Sequence, residues 1–335
     1  MTGFAQTNNQ NLLRVSNLEV HFAVRSGFFA SLLTKEVALV RAVDGVDFTL
    51  GRGEILCLAG ESGSGKTTTG KAILRLLEPT SGEVFYQDED IRLFNRTRLR
   101  KFRQDAQIIF QDPYESLNPR QTVFATVAEP LEVNHICKSI KEKEERVEEA
   151  LNDAGLNNPR ELFMRYPHEL SGGQRQRLAI ASALVLKPNL IVADEPVSML
   201  DLSIRAGILK LMVDLRDNKG ISYLFITHDL SLAWLVSDRI AIMYLGKIIE
   251  LGNADVVIKT PLHPYTKALV SVIPVPKRVS LLGKTLLKGE TPDPVNIPPG
   301  CRFHPRCPEA KPFCREEEPV FREVASNRFG ACHYI

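Results

Sequence analysis

No stretch of this chain is apolar for long enough to span a bilayer. A membrane-crossing helix needs roughly 18 or more apolar residues, and the longest run here, residues 178–186, has nine. It reads as a buried helix segment. The first ten residues are polar and uncharged, without the basic start and apolar stretch of a secretory signal. A cytosolic compartment is therefore expected, with any membrane role exerted through partners. Charge of one sign is lacking too: 42 Lys and Arg stand against 40 Asp and Glu, a formal net charge of +2. That balance selects no polyanionic or cationic partner. Internal repeats and sustained heptads are also missing, so neither a solenoid nor a long coiled coil is expected.

What remains is ordinary for a globular protein, with 44% hydrophobic and 24% charged residues among 335, enough for one large domain or two modest ones. Residues 13–20 and 42–50 alternate in the manner of strands, and residues 26–35 between them read as a loop insertion. Residues 54–59 form a continuous apolar run, expected of a strand buried on both faces. A helix over 71–77, ended by Pro79 and Gly82, follows. Residues 138–155 are charged and helical in pattern, a solvated face. Helix 172–186, strand 189–193, helix 203–217, strand 221–226 and helix 229–236 complete the alternation. The fold class is α/β, a mostly parallel sheet covered on both faces.

Gly60, Glu61, Ser62, Gly63, Ser64, Gly65, Lys66 and Thr67 match the G-x-x-x-x-G-K-[ST] loop, set between a strand and a helix as that motif requires. Glycines let the backbone turn its N–H groups and a helix N-terminus toward a phosphate. Lys66 is placed to reach the β- and γ-phosphates, Thr67 to coordinate Mg²⁺, and Thr68 continues the helix start. Residues 190–194 then form an apolar strand delivering Asp194 and Glu195 at its end, where ligands sit in open α/β sheets. Asp194 is the candidate Mg²⁺ holder, and Glu195 the residue that polarises the attacking water.

Leu170, Ser171, Gly172, Gly173 and Gln174 precede that strand and open a helix. This stretch resembles the signature motif of ABC (ATP-binding cassette) ATPases. Gln111 resembles the Q-loop glutamine of that family, residues 198–201 ending in Asp201 its D-loop, and His228 its switch histidine. The resemblance implies a P-loop NTPase cassette over residues 12–260: a RecA-like core, an antiparallel β subdomain and a helical subdomain over about 112–170. It also implies that two cassettes pair head-to-tail. Ser171, Gly172, Gly173, Gln174 and Asp201 then face the nucleotide of the partner, while His228 and Gln111 sense the γ-phosphate and its Mg²⁺. For adenine, Phe22 fits the aromatic position near the end of the first strand, by stacking; Phe28 or Phe29 could serve instead. The basic run Arg92, Arg96, Arg98, Arg100, Lys101 and Arg103 comes without aromatic stacking residues or a DNA-reading motif. It reads as a solvated face, with no nucleic acid implied.

The stretch from Leu262 through His263, Pro264, Tyr265 and Thr266, and the later one from Pro299 to Pro308, resemble the C-terminal extension of oligopeptide and dipeptide importer ATPases. The extension is placed at 261–335. Cys301, Cys307, Cys314 and Cys332 are spaced C-x5-C-x6-C-x17-C, and four thiolates suit an iron–sulfur cluster or tetrahedral zinc. In the family they hold a [4Fe-4S] cluster, so a small metal-binding module is expected. The family further implies an ATPase driving peptide import from the cytoplasmic face of the inner membrane. Its partners would be a related second ATPase, two transmembrane permeases and an extracytoplasmic binding protein. The permease helices are expected to dock near residues 111–119. Relatives in the same family import nickel, glutathione or oligosaccharides. A more distant reading is a non-transport ATPase in DNA repair or translation, against which the single cassette and missing heptads count. A regulatory iron–sulfur sensor that only binds ATP is the third, against which Glu195 and His228 count.

Overall fold

The computed structural model describes residues 11–24, 38–273, 287 and 289–335. Loop 26–35, with Phe28 and Phe29, lies outside the described residues. In chain order the strands are β1 (Asn11–Val24), β2 (Ala38–Gly51), β3 (Ile55–Ala59), β4 (Ser81–Tyr86), β5 (Glu89–Asp90) and β6 (Ala106–Ile109). They continue with β7 (Leu190–Asp194), β8 (Ser222–Thr227), β9 (Arg239–Tyr244), β10 (Lys247–Asn253), β11 (Arg322–Ala325) and β12 (Arg328–Gly330). The chain divides into two compact units. One takes the described residues up to Gly51, then Ile55–Leu93 and Ile226–Ile335; the other takes Arg52–Glu54 and Phe94–Phe225.

The first unit contains an antiparallel sheet ordered β2-β1-β4-β5. Its register sets Leu13 opposite Leu50, Val15 opposite Phe48 and Val20 opposite Val43, all of them buried. Alternation along each strand thus supplies one apolar face. Beside it run five strands in the order β11-β12-β10-β9-β3. β3 pairs parallel with β9, Cys57 opposite Ile240, and every residue of β3 is buried. The helix after β3 runs over Lys66–Ile73, earlier than the 71–77 expected from its apolar residues. Arg75 adopts φ 51°, and the N–H groups of both Leu76 and Leu77 turn back to the Lys71 carbonyl, which ends the helix.

The extension is built onto this sheet. β12 pairs with β10, Glu250 opposite Gly330 and Leu251 opposite Phe329. Glu250, wholly buried, accepts the N–H groups of Leu262 and His263 and pairs with Arg328 at 3.3 Å. Tyr244, Tyr265 and Phe303 meet with ring centroids 4.8–5.4 Å apart, joining β9, the helix Pro264–Ser271 and the tail. Buried aromatic contacts of this kind contribute beyond their area.

In the second unit the start of β8 (residues 222–225), β7 and β6 lie side by side, with β6 and β7 parallel and Ile108 opposite Val192. Helices Val123–Val133, Ile140–Asp153 and Gly172–Leu184 bury Val127, Leu131, Val147, Leu151, Leu178 and Ala181. Thr122 and Ser139 cap the first two of these helices, the preferred residues for that position. All of the basic run but Arg92 falls on helix Arg96–Asp105, capped by Asn95, which buries Phe102 and leaves its cations largely exposed.

Burial gives one residue a pH signature. His263 is 1% exposed, its Nδ1 accepting from the Tyr265 N–H. Burial first, and the Lys267 charge second, push its pKa from 6.5 down to about 3. The unfolded chain therefore takes up the proton before the folded one does. This stability is fully present above pH 6.5 and is lost as pH falls toward 3. Between pH 7 and 5 the loss amounts to about 2 kcal/mol. Urea midpoints at the two pH values should fall further in wild type than in His263→Gln; equal falls would exclude a neutral buried imidazole.

Candidate functional site

The glycine-rich loop leaves β3 and enters helix Lys66–Ile73 with its backbone pressed on other main chain. At Gly60, φ is 152° and a Cβ would stand 2.2 Å from the Met243 carbonyl oxygen; at Gly65, φ is 104° and a Cβ would stand 2.1 Å from the Ala42 oxygen. Both neighbours are backbone and cannot rotate away, so only glycine fits. The Gly246 N–H donates to the Ser64 carbonyl at 2.9 Å and holds the loop from the side. Ser64 and Lys66 are buried, Ser62, Gly63 and Thr67 exposed, Thr68 half-buried. The Lys66 ammonium donates to the carbonyls of Gly60 and Glu61, each at 2.8 Å, and so lies against the loop itself. Glu61 is tied to the tail through Arg306 and Thr291. Burial raises its carboxyl pKa, but the Arg306 and Thr291 bonds outweigh that and leave it lowered, hence ionised at neutral pH.

Within the same unit, Phe22 is exposed near the end of β1 opposite Val40. His228 is exposed just past β8, between Thr227 and Asp229. The Asp229 carboxylate accepts from the Ser231 N–H at 2.8 Å and caps the next helix.

The second unit brings two expected residues together. Gln111 donates from Nε2 to Glu195 Oε2 at 3.1 Å. Asp194 is buried at the end of β7, and Glu195 beyond it holds φ 48°. A non-glycine residue in that left-handed region is strained, a cost that clusters at functional sites. Ser198 stabilises the turn by donating from Oγ to the Glu195 carbonyl at 3.1 Å. Ser171 caps helix Gly172–Leu184 reciprocally: its Oγ accepts from the Gln174 N–H, and its own N–H donates to Gln174 Oε1. Gly173 is buried against Ile204, whose Cγ2 would be 2.8 Å from a Cβ there. Asp201 is the exposed N-cap residue of helix Leu202–Lys219, and Arg205 secures the turn before it by donating to the carbonyls of Ser198 and Leu200. Arg205, and Arg306 on the loop side, were not among the residues singled out from sequence. Their partners are backbone carbonyls and a distant carboxylate, which no local motif signals.

Cys301, Cys307, Cys314 and Cys332 are free thiols. The N–H groups of Phe303, Glu309 and Tyr334 donate to the sulfurs of Cys301, Cys307 and Cys332. Burial pushes the Cys301 thiol up to about 11, and the charges of the other three cysteines add to the rise. Among the described residues, the only trio of metal-ligating side chains with ligand atoms all within 4.8 Å is Glu19, His21 and Asp44. Protein partners already serve that trio: Asp44 binds His21 and Arg302, and Glu19 accepts from the Ser81 hydroxyl.

The ABC transporter family pattern matches residues 43–198, and the C-terminal region of the oligopeptide/dipeptide transporter family matches residues 249–314. The oligopeptide transport ATP-binding protein AppF of Bacillus subtilis is 46% identical, over 97% of this chain and 98% of its own. The dipeptide transport ATP-binding protein DppF of Haemophilus influenzae is 43% identical, over 98% of each. A solved dimer of the ATP-binding cassette MJ0796, in a post-hydrolysis state with ADP and Pi, superposes with a TM-score of 0.62 at 29% identity. The match covers 72% of this chain and 98% of that one.

Replacing Gly60 with alanine should cost about 1–3 kcal/mol of stability from backbone strain alone, and more if Met243 has to move. Thermal melts together with amide exchange across residues 61–66 would measure it. Unchanged melting and exchange would show that the loop does not need the close approach.

Proposed function

We propose, for a chain that belongs to the ATP-binding subunits of the oligopeptide and dipeptide ABC transporters, that its ATP hydrolysis drives the import of peptides. The hydrogen bond from Gln111 to Glu195, at the strained turn that follows β7, is the observation that carries the mechanism. Oriented in this way, the Glu195 carboxylate polarises the attacking water as a general base. Asp194 and Thr67 are the residues that would each supply a ligand to Mg²⁺, and Lys66 with the N–H groups of residues 60–65 would cradle the β- and γ-phosphates. His228 and Gln111 register the γ-phosphate, and Phe22 stacks on adenine. The reciprocal cap of Ser171 and Gln174 aligns the N-terminus of its helix toward the partner cassette's ATP. Asp201 would face the partner's nucleotide as well.

The names of the relatives support peptide as cargo. A second, related ATPase, two permeases and an extracytoplasmic binding protein complete the transporter, with this subunit at the cytoplasmic face of the membrane. No helix among the described residues is long and apolar enough to cross a membrane. A groove of about 370 Å³ lined by Phe110, Leu117, Gln121, Pro130 and Ala183 is where we place the permeases' cytoplasmic helices. Its lining mixes these apolar side chains with polar ones such as Asn118 and Glu129, which suits an amphipathic helix.

The four tail cysteines fit a metal centre. Burial and mutual repulsion disfavour bare thiolates at Cys301, Cys307 and Cys332, and a cationic centre would remove that penalty. Backbone N–H groups directed at three of the sulfurs stabilise ligated thiolate. Four thiolates suit a [4Fe-4S] cluster, which would cross-link the tail; tetrahedral zinc is the alternative.

In the assembled transporter, peptide-loaded binding protein should raise ATP turnover. Glu195→Gln should lower turnover by about 10²–10⁴-fold with ATP still bound. Wild-type turnover in Glu195→Gln would remove the assigned mechanism, and indifference to peptide would remove the cargo. Anaerobically purified protein should carry iron and acid-labile sulfide in equal amounts, both lost in Cys314→Ser; zinc without sulfide would replace the cluster.

A further inference from the structure

The tail grips the phosphate loop at one side chain. Arg306 holds the Glu61 carboxylate with both terminal nitrogens, Nη1 to Oε2 at 2.7 Å and Nη2 to Oε1 at 3.1 Å. The Thr291 hydroxyl donates to the same Oε2 at 2.7 Å, and Arg306 also donates to Thr291 Oγ1 at 3.2 Å. On the main-chain side, the Glu61 N–H donates to the Tyr265 hydroxyl at 2.9 Å. Three segments more than 200 residues away in sequence thus converge on the second residue of the loop. The Arg306 side chain is 8% exposed and that of Glu61 29%, and a bidentate fork of this kind fixes direction as well as distance.

The backbone of Arg306 is fixed by the turns that carry the cysteines. Its N–H donates to the Phe303 carbonyl at 3.0 Å, and the His304 N–H donates to the Cys301 carbonyl at 2.9 Å. The guanidinium lies 6.0 Å from the Tyr244 ring centre, beside the aromatic cluster that includes Phe303. Order in the cysteine turns therefore fixes where the guanidinium stands.

We propose that Arg306 is a positioning residue for nucleotide binding: it aligns the start of the phosphate loop, cancels the Glu61 charge beside the triphosphate, and ties the loop's ATP affinity to metal loading of the tail. The proposal rests on reading the loop as the ATP site and the four cysteines as a metal centre. A carboxylate released roughly 10 Å from a polyanion, at an effective dielectric of about 20, weakens its binding by the order of tenfold. A merely structural staple would change stability and leave affinity alone.

The test is equilibrium titration of the full-length chain with a fluorescent ATP analogue and Mg²⁺, with iron and sulfide assayed in each preparation. Arg306→Gln should weaken binding about tenfold with iron retained, and Arg306→Lys should recover part of it. Adding Glu61→Gln to Arg306→Gln should restore most of the loss, because the repelling charge is gone. Wild-type affinity in Arg306→Gln, or a double variant as weak as the single one, would overturn the clamp. Wild type stripped of metal by a chelator should also lose about tenfold, and the double variant much less. Equal affinity of stripped and loaded wild type would overturn the coupling and leave the ATP site intact. Equal losses in both proteins would overturn it as well.

Discussion

Main chain pressed against main chain at the phosphate loop is the constraint on which the first unit is organised. Met243 and Ala42 present carbonyl oxygens where Gly60 and Gly65 pass, and no side chain can be accommodated there. The approach needs β9 and β2 in place, so the loop takes its shape from the two sheets together. Because Lys66 turns back onto the carbonyls of Gly60 and Glu61, the cation belongs to the loop's own hydrogen bonding. Under the proposed function, anion recognition would be a property of the backbone path, with the lysine added to it.

The extension continues that organisation. β12 extends the sheet at β10, Glu250 gathers two N–H groups and Arg328 in a fully buried position, and Arg302 bonds both Asp44 and the Leu245 carbonyl. Buried charges of this sort need partners to offset their desolvation. The complement here comes from segments on both sides of residue 260. The tail and the loop-bearing strands are therefore parts of one hydrogen-bonded fabric, which is why a side chain next to Cys307 can hold one in the phosphate loop.

In the second unit one strained residue stands where the chemistry is assigned. Glu195 keeps a left-handed backbone immediately after a fully buried strand, held by Ser198 and hydrogen-bonded to Gln111. Such a conformation persists because its surroundings over-determine it. The signature helix, by contrast, starts without strain, its first turn closed by a reciprocal cap.

Local chemistry made much of this protein legible in its sequence. The phosphate loop, the acidic strand end, the capped signature helix and the buried strands β3, β7 and β8 depend on residues close together in the chain, and pattern reveals them. Family resemblance placed the cysteine tail, and its clustering was visible in spacing alone. Tertiary structure decided what sequence distance conceals: that Arg306 meets Glu61 245 residues away, that β12 joins β10, and that His263 is buried. It also decided that a helix expected over 71–77 stops at Ile73, because a left-handed turn at Arg75 won over helical pattern. The physical reason is the same throughout. Propensity and motif act over a few residues, whereas burial, charge pairing and close backbone approach exist only once distant segments are packed together.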